Sequence, residues 1–175
     1  MITDVLAVLY FLVPAYVANM TPVFVKKVPV LNYPLDFGHT LNGKRVFGSH
    51  KTWRGLVFGV LAATLAFWLM QRAGDFGFWL ADLSQIPLWV GSAMGFGALA
   101  GDALESTIKR QLNVASGESL IFWDQVDFLI GALVVTTPYW VLYWLETLVA
   151  VTIVFVLTLG FQRAGYWLKL KDDPL

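Results

Sequence analysis

The sequence predicts an all-α integral membrane protein with about five transmembrane helices, and three observations carry that expectation. Apolar residues make up 58% of the 175-residue chain and charged residues only 14%, against roughly 25% charged in an average soluble domain. With 8 Trp, 13 Phe and 6 Tyr and a mean hydropathy of +0.66, too few polar side chains remain to coat a soluble surface. A chain this apolar does not stay solvated as a disordered one either. Second, five stretches approach the ~20 apolar residues that a ~30 Å hydrocarbon core requires. Third, the basic residues gather on one side of those stretches. The whole chain, 1–175, reads as one polytopic membrane domain.

The first span covers about residues 5–25, interrupted by Pro14 and Asn19. It starts without a basic residue and lacks a small-residue cleavage site, so it reads as a retained helix rather than a signal peptide. A structured loop follows at about 26–51, where Pro29 and Pro34 argue against a regular helix and Gly38, Gly43 and Gly48 mark turns. The second span, about 52–70, is short, so Lys51 to Arg54 begin it. The third, about 87–108, holds Gly91/Gly95 and Gly97/Gly101, small-xxx-small pairs that let backbones approach closely and predict a central, packed helix. A shorter loop at about 109–123 leads to the fourth span, about 124–145. Only Glu146 and Thr147 separate that span from the fifth, about 148–168, which predicts a tight turn and an antiparallel pair.

Eleven of the 12 basic residues lie in the 26–54 segment, at Lys109 and Arg110, or at Arg163, Lys169 and Lys171, leaving Arg72 alone on the other side. The positive-inside rule makes the basic side cytoplasmic, the N-terminus external and the C-terminus cytoplasmic. Trp68, Trp79, Trp89, Trp144 and Trp167 fall near span ends, where interfacial aromatic residues belong. Lys+Arg and Asp+Glu balance at 12 each, so no net field draws in nucleic acid, and the absence of Cys excludes disulfides and thiolate metal sites.

Asp102, Glu105, Ser106 and Lys109 are spaced to share one helical face at the cytoplasmic end of the third span. A Glu105–Lys109 pair with Asp102 at the interface would be a plain structural explanation. An acidic residue inside a span costs insertion energy, however, and marks a functional position by default. Asp124 and Asp127 form a second acidic pair at the entry to the fourth span, where capping needs only one of them. If the third and fourth spans pack, both pairs meet. Converging carboxylates with no His or Cys among them make a hard oxygen site suited to Mg²⁺.

Cations lie close by: Lys109 and Arg110 after the acidic face, and Lys44, Arg45, Lys51 and Arg54 in the long loop. Gly43 and Gly48 have P-loop spacing, but Lys51-Thr52 comes two residues too late, and a P-loop would need a contiguous Gly-Lys-Thr after a strand. Gly-rich backbone beside Ser49 and Thr52 at the start of the second span remains a candidate phosphate cradle. Carboxylates for Mg²⁺ beside cations for phosphate are the parts of phosphoryl or nucleotidyl transfer. At a membrane mouth, one substrate is expected to be a lipid.

The run Gly101-Asp102-Ala103-Leu104-Glu105-Ser106-Thr107-Ile108-Lys109-Arg110, followed by Asp124-Gln125-Val126-Asp127, resembles the signature of the CTP-dependent phosphatidate cytidylyltransferases. The interval between the two halves lacks the bacterial Lys-Asp pair and Gly/His-rich run, reading instead through Gly117-Glu118, and Gln125 replaces the usual arginine. Those departures and the short chain resemble the archaeal branch, the CDP-archaeol synthases. Pro34-Leu35-Asp36-Phe37-Gly38, Gly43-Lys44-Arg45-Val46-Phe47-Gly48 and Lys51-Thr52-Trp53-Arg54-Gly55 are similar to that branch's other region.

The resemblance implies transfer of CMP from CTP to 2,3-di-O-geranylgeranylglyceryl phosphate, an isoprenoid ether lipid phosphate, at the cytoplasmic face of the cell membrane. It implies Asp102, Asp124, Asp127 and Glu105 as metal ligands and Lys109, Arg110, Lys51 and Arg54 as charge-neutralising catalytic residues. Lys44, Arg45, Thr52 and Ser106 would bind nucleotide or substrate. A CDP-alcohol phosphotransferase is the nearest alternative, but its longer acidic signature is absent. A small transporter with Asp102 as ion ligand is another; the sequence shows no repeat, and its polar residues cluster at one face.

Overall fold

The computed structural model describes residues 2–75, 77, 80–114, 123–138 and 144–167. The first expected span is two helices, α1 (Ile2–Phe11) and α2 (Val13–Phe24), broken at Leu12. Pro14 explains the break: it has no N–H to offer the carbonyl of Tyr10 four residues back, and helical bonding resumes with the Ala15 and Tyr16 N–H groups on the Leu12 carbonyl, at 3.0 and 3.3 Å. A 3₁₀ turn at Val25–Lys27 ends this segment. The next helix, α3 (Trp53–Asp75), runs a turn beyond the expected second span, and α4 (Trp89–Gln111) matches the third within three residues.

The fourth and fifth expectations need correction. Helix α5 (Trp123–Thr136) stops two residues before Pro138, and α6 (Trp144–Trp167) runs straight through Glu146 and Thr147. Proline disfavours helical geometry in the residue before it, so α5 ends at Thr136, and the expected turn at Glu146-Thr147 is instead helical. Residues 139–143, Trp79, Gly117-Glu118, Leu168, Lys169 and Lys171 lie outside the described residues, as do the side chains of Asp124, Gln125, Arg163 and Trp167.

Helix α4 is central, packing against α2, α3 and α5, while α1 rests on α6. The two glycine pairs divide the work between two neighbours. A Cβ at Gly91 would lie 2.5 Å from Phe67 Cβ, and one at Gly95 would lie 2.6 Å from Ala63 Cβ, both on α3. Gly97 and Gly101 face α5: a Cβ at Gly97 would lie 2.5 Å from the Gly131 carbonyl oxygen, and one at Gly101 would collide with the Asp127 carbonyl. Such contacts are what small-xxx-small spacing permits. Phe11, Leu12, Phe67, Met94 and Leu129 fill the core completely buried.

Among the described residues, Ile2–Lys27 and Trp53–Asp75 are long and apolar enough to cross a membrane, and shorter apolar helices cover Val126–Thr136 and Trp144–Val156. Leu61, Leu65 and Leu69 form an exposed stripe along α3, and Trp53, Trp89, Trp123 and Trp144 open four helices as exposed rings. Exposed apolar stripes bounded by aromatic residues are what a lipid-facing surface presents.

The long loop contains a β-hairpin, a local departure from the expected all-α class. Strands β1 (Thr40–Leu41) and β2 (Lys44–Arg45) pair antiparallel around Asn42-Gly43, whose φ values are 53° and 76°. Two successive left-handed residues between strands are the type I′ arrangement that Asn-Gly favours. Gly38 and Gly48 also have positive φ, as the turn reading expects.

Candidate active site

The site is built where three backbone devices converge. Close approach of α4 and α5 at Gly97, Gly101 and Gly131 brings Asp127 against the turn of α4 that carries Asp102 and Glu105. One carboxylate oxygen from each of Asp102, Glu105 and Asp127 lies within 4.8 Å of the others. The second device returns the long loop onto α3. Leu35 N–H donates to the Lys51 carbonyl at 2.8 Å, Trp53 N–H donates to Tyr33 at 2.9 Å, and Pro34 bridges Thr52. That pairing fixes Lys51, whose Nζ donates to both oxygens of Asp102 at 2.6 Å. The third is helical spacing alone: Glu105 and Lys109, one turn apart, form an ion pair at 2.8 Å.

Glu105, Lys109 and Asp127 are buried, at 9%, 8% and 8% exposure. Withdrawing ions from water costs several kcal/mol each, so this cluster is not a device for stability. Among the described residues, three carboxylates meet two ammonium groups, Lys51 and Lys109. The donor set is entirely carboxylate oxygen. Its 4.8 Å spread is slightly wider than the roughly 4.2 Å across an octahedron with bonds of about 2.1 Å. Small rotamer changes or a bridging water close that gap, so the residues fit a hard divalent cation.

The other expected cations hold the frame. The Arg45 guanidinium pairs with Asp36, and Lys44 Nζ donates to the Gln111 carbonyl at 2.9 Å. Arg54, 7% exposed, donates to the Val28 carbonyl at 2.5 Å, and its backbone N–H donates to Leu31 at 2.8 Å. Arg110 donates to the Val114 carbonyl at 3.3 Å. There α4 ends in a Schellman motif, with Val114 N–H on the Lys109 carbonyl at 3.0 Å and Asn113 in the left-handed region at φ 62°. Thr52 Oγ1 accepts from Gly55 N–H at 3.2 Å. The first N–H groups of α3 are therefore engaged by Thr52, Tyr33 and Leu31, and the expected phosphate cradle at that terminus is not formed by them. Ser106 is half-buried on the Asp102 face of α4. Asp124 lies on the first turn of α5.

Asp36 organises the loop. Its 5%-exposed carboxylate accepts from Arg45 and from the backbone N–H groups of Gly38, Phe47 and Gly48 at 2.9, 3.1 and 3.1 Å. Burial pushes its pKa up, but Arg45 and the three N–H groups more than offset that and hold it at about 2. The contact to Gly38 is an Asx-turn, so the Asp-x-Gly spacing was the available signal.

Among the described residues, two cavities adjoin the carboxylates from opposite faces of α4. One, of about 250 Å³, is bounded by Asn19, His50, Lys51, Thr52 and Asp102, with Leu56 and Leu99 as apolar walls. The other, of about 510 Å³, is an apolar groove between α4 and α5 running past Phe96, Leu104, Ile130 and Val134, with Glu105 and Asp127 in its wall. Asn19 and His50 were not among the expected site residues; a lone amide in an apolar span was the sequence signal for the first.

A family model described as "CarS-like: CDP-archaeol synthase" matches residues 1–175. The chain is 34% identical to CDP-archaeol synthase of Archaeoglobus fulgidus over 187 residues, covering 99% of each chain. It is 33% identical to that of Pyrococcus furiosus, covering 97% of this chain and 98% of the relative. Identity to the Methanothermobacter thermautotrophicus protein is 36%, over 98% and 94%. A solved structure of an intramembrane enzyme for archaeal membrane lipid biosynthesis superposes with a TM-score of 0.73 at 33% identity, covering 89% of this chain and 92% of that one. With a full-length model match and relatives of this identity, the chain belongs to the CDP-archaeol synthase family, whose members are membrane-embedded enzymes.

Proposed function

We propose that the protein transfers CMP from CTP to an isoprenoid ether lipid phosphate, 2,3-di-O-geranylgeranylglyceryl phosphate, giving CDP-archaeol and diphosphate. The observation that carries this reading is the meeting of a partly polar cavity and an exposed apolar groove at one carboxylate cluster. A nucleotide and a membrane lipid have opposite solvation needs, and those two compartments separate them while bringing their phosphates together. Neither a CDP-alcohol phosphotransferase nor a transporter with Asp102 as ion ligand is favoured by these relatives.

A phosphate oxygen of the lipid attacks the α-phosphorus of CTP; the bond from that phosphorus to the bridging oxygen breaks, and diphosphate leaves with the electron pair. The attacking phosphate is ionised at neutral pH, so no general base is needed. Magnesium, when bound by Asp102, Glu105 and Asp127, with Asp124 the further ligand that the sequence motif implies, would supply charge neutralisation for the phosphates. Lys51 and Lys109, already seated on two of the carboxylates, are the cations nearest that charge. Arg45, Lys44, Arg54 and Arg110 hold the loop and helix ends that present them. We read the chain as crossing the membrane five times, with the N-terminus outside and the site cytoplasmic. The one-sided distribution of the 12 basic residues supports that orientation.

Asp102→Asn, Asp124→Asn and Asp127→Asn test the metal assignment in CTP-dependent diphosphate release across a magnesium titration. Each is expected to lower turnover by about 10²-fold or more, while Lys26→Ala stays close to wild type. Near-wild-type turnover of all three at saturating magnesium would mean that the metal lies elsewhere.

A further inference from the structure

We infer that Asn19 anchors the nucleoside half of the nucleotide, in the cavity between α2, α3 and α4. The inference rests on the cytidylyl-transfer reading and goes beyond it by naming the residue that reads the nucleoside. Asn19 is an amide within an otherwise apolar segment, where a polar group that finds no partner is costly. Among the described residues, its side chain makes no hydrogen bond to protein, and it lines the 250 Å³ cavity instead.

The cavity's contents are ordered by charge. Lys51 and Asp102 stand on its carboxylate-cluster side, so the phosphates belong there and the nucleoside must extend away from them. Among the described residues, two cavities adjoin the cluster. The groove between α4 and α5 is walled by Phe96, Leu104, Ile130 and Val134, where a base and ribose would lose their hydrogen bonds to water without replacement. The cavity offers the Asn19 amide, His50 and the Thr52 hydroxyl between the apolar walls of Leu56 and Leu99. That combination of apolar walls and a few polar groups suits a heteroaromatic base. A carboxamide presents a donor and an acceptor side by side, which matches the acceptor N3 and the amino group of cytosine. At 250 Å³, the cavity has about half the room of the groove and does not suit two isoprenoid tails.

The test uses the full-length protein in detergent, with Asn19→Ala and Asn19→Leu compared to wild type. Four quantities are read: equilibrium binding of labelled CTP with magnesium, KM for CTP, KM for the lipid phosphate, and melting temperature. Both variants are expected to weaken CTP binding and raise KM for CTP by about tenfold. KM for the lipid should hold within twofold, and the leucine variant should melt no lower than wild type. Asn19→Gln, which keeps the amide one methylene out of place, should fall between them and wild type, and it serves where the others do not fold. Unchanged CTP binding in the variants, or a rise in the lipid KM instead, overturns the inference while leaving cytidylyl transfer standing. Wild-type protein that binds CTP but transfers nothing to a lipid phosphate sinks the transfer reading, and the binding series still decides Asn19. Wild-type protein that binds no CTP overturns both.

Discussion

Adding one methyl group at Gly101 should separate the helices that assemble the carboxylates. A Cβ there would collide with the Asp127 carbonyl oxygen and lie 3.1 Å from its carbon and 3.2 Å from Gly131 Cα. All three are backbone atoms, so no side chain can rotate aside. To restore ordinary van der Waals separation, α5 must retreat by about 1 Å or more. That movement carries Asp127 away from Asp102 and Glu105, whose oxygens now lie within 4.8 Å of its own. Overpacking of this kind costs about 1–3 kcal/mol, and a 1 Å misplacement of catalytic groups costs about 10²-fold in rate. Gly101→Ala is therefore expected to lower CTP-dependent diphosphate release by about 10²-fold while the protein still folds and purifies. Gly131→Ala, which would collide with the Gly97 carbonyl, should do the same from the opposite helix. Gly74→Ala is the control: nothing lies within 4 Å of its Cβ, and removing a helical glycine stabilises by up to about 1 kcal/mol. If Gly101→Ala turns over within twofold of wild type, close α4–α5 approach is not what assembles the site.

Two further outcomes follow from the frame around the site. Arg54→Ala removes a buried charged donor from the Val28 carbonyl and should lower the melting temperature by an amount equivalent to about 1.5–3 kcal/mol. An unchanged melting temperature would argue against that role. Asp36 is held at about pKa 2 in the folded loop, below its ordinary value of about 3.9. Its stabilisation is therefore fully present above about pH 4 and is lost as pH falls toward 2. Asp36→Asn should melt below wild type at pH 6–7, with the gap narrowing below pH 4; a gap independent of pH would contradict the ionic account.

What could be read in advance was what depends on spacing along one helix. Asp102, Glu105 and Lys109 share a face because helical geometry places i, i+3 and i+7 together, and the paired glycines of α4 announced close packing. Side-chain reach across the fold was not legible in this way. Lys51 and Arg54 are three residues apart, yet the loop pairing at Pro34 and Thr52 directs one to Asp102 and the other to Val28. The breaks at Leu12 and after Thr136 did have local signals, Pro14 and Pro138, which continuous hydropathy outweighed. Asn42-Gly43 likewise carried a hairpin signal within a segment read only as turns.

The most direct test of the account is transfer of label. Purified protein is incubated with magnesium, CTP labelled at the α-phosphate and 2,3-di-O-geranylgeranylglyceryl phosphate, and the lipid and aqueous phases are separated. The account predicts α-label in the lipid phase, with diphosphate released in equal amount and both lost in Asp102→Asn. Diphosphate release without label in the lipid, or no turnover by the wild-type protein, would contradict it.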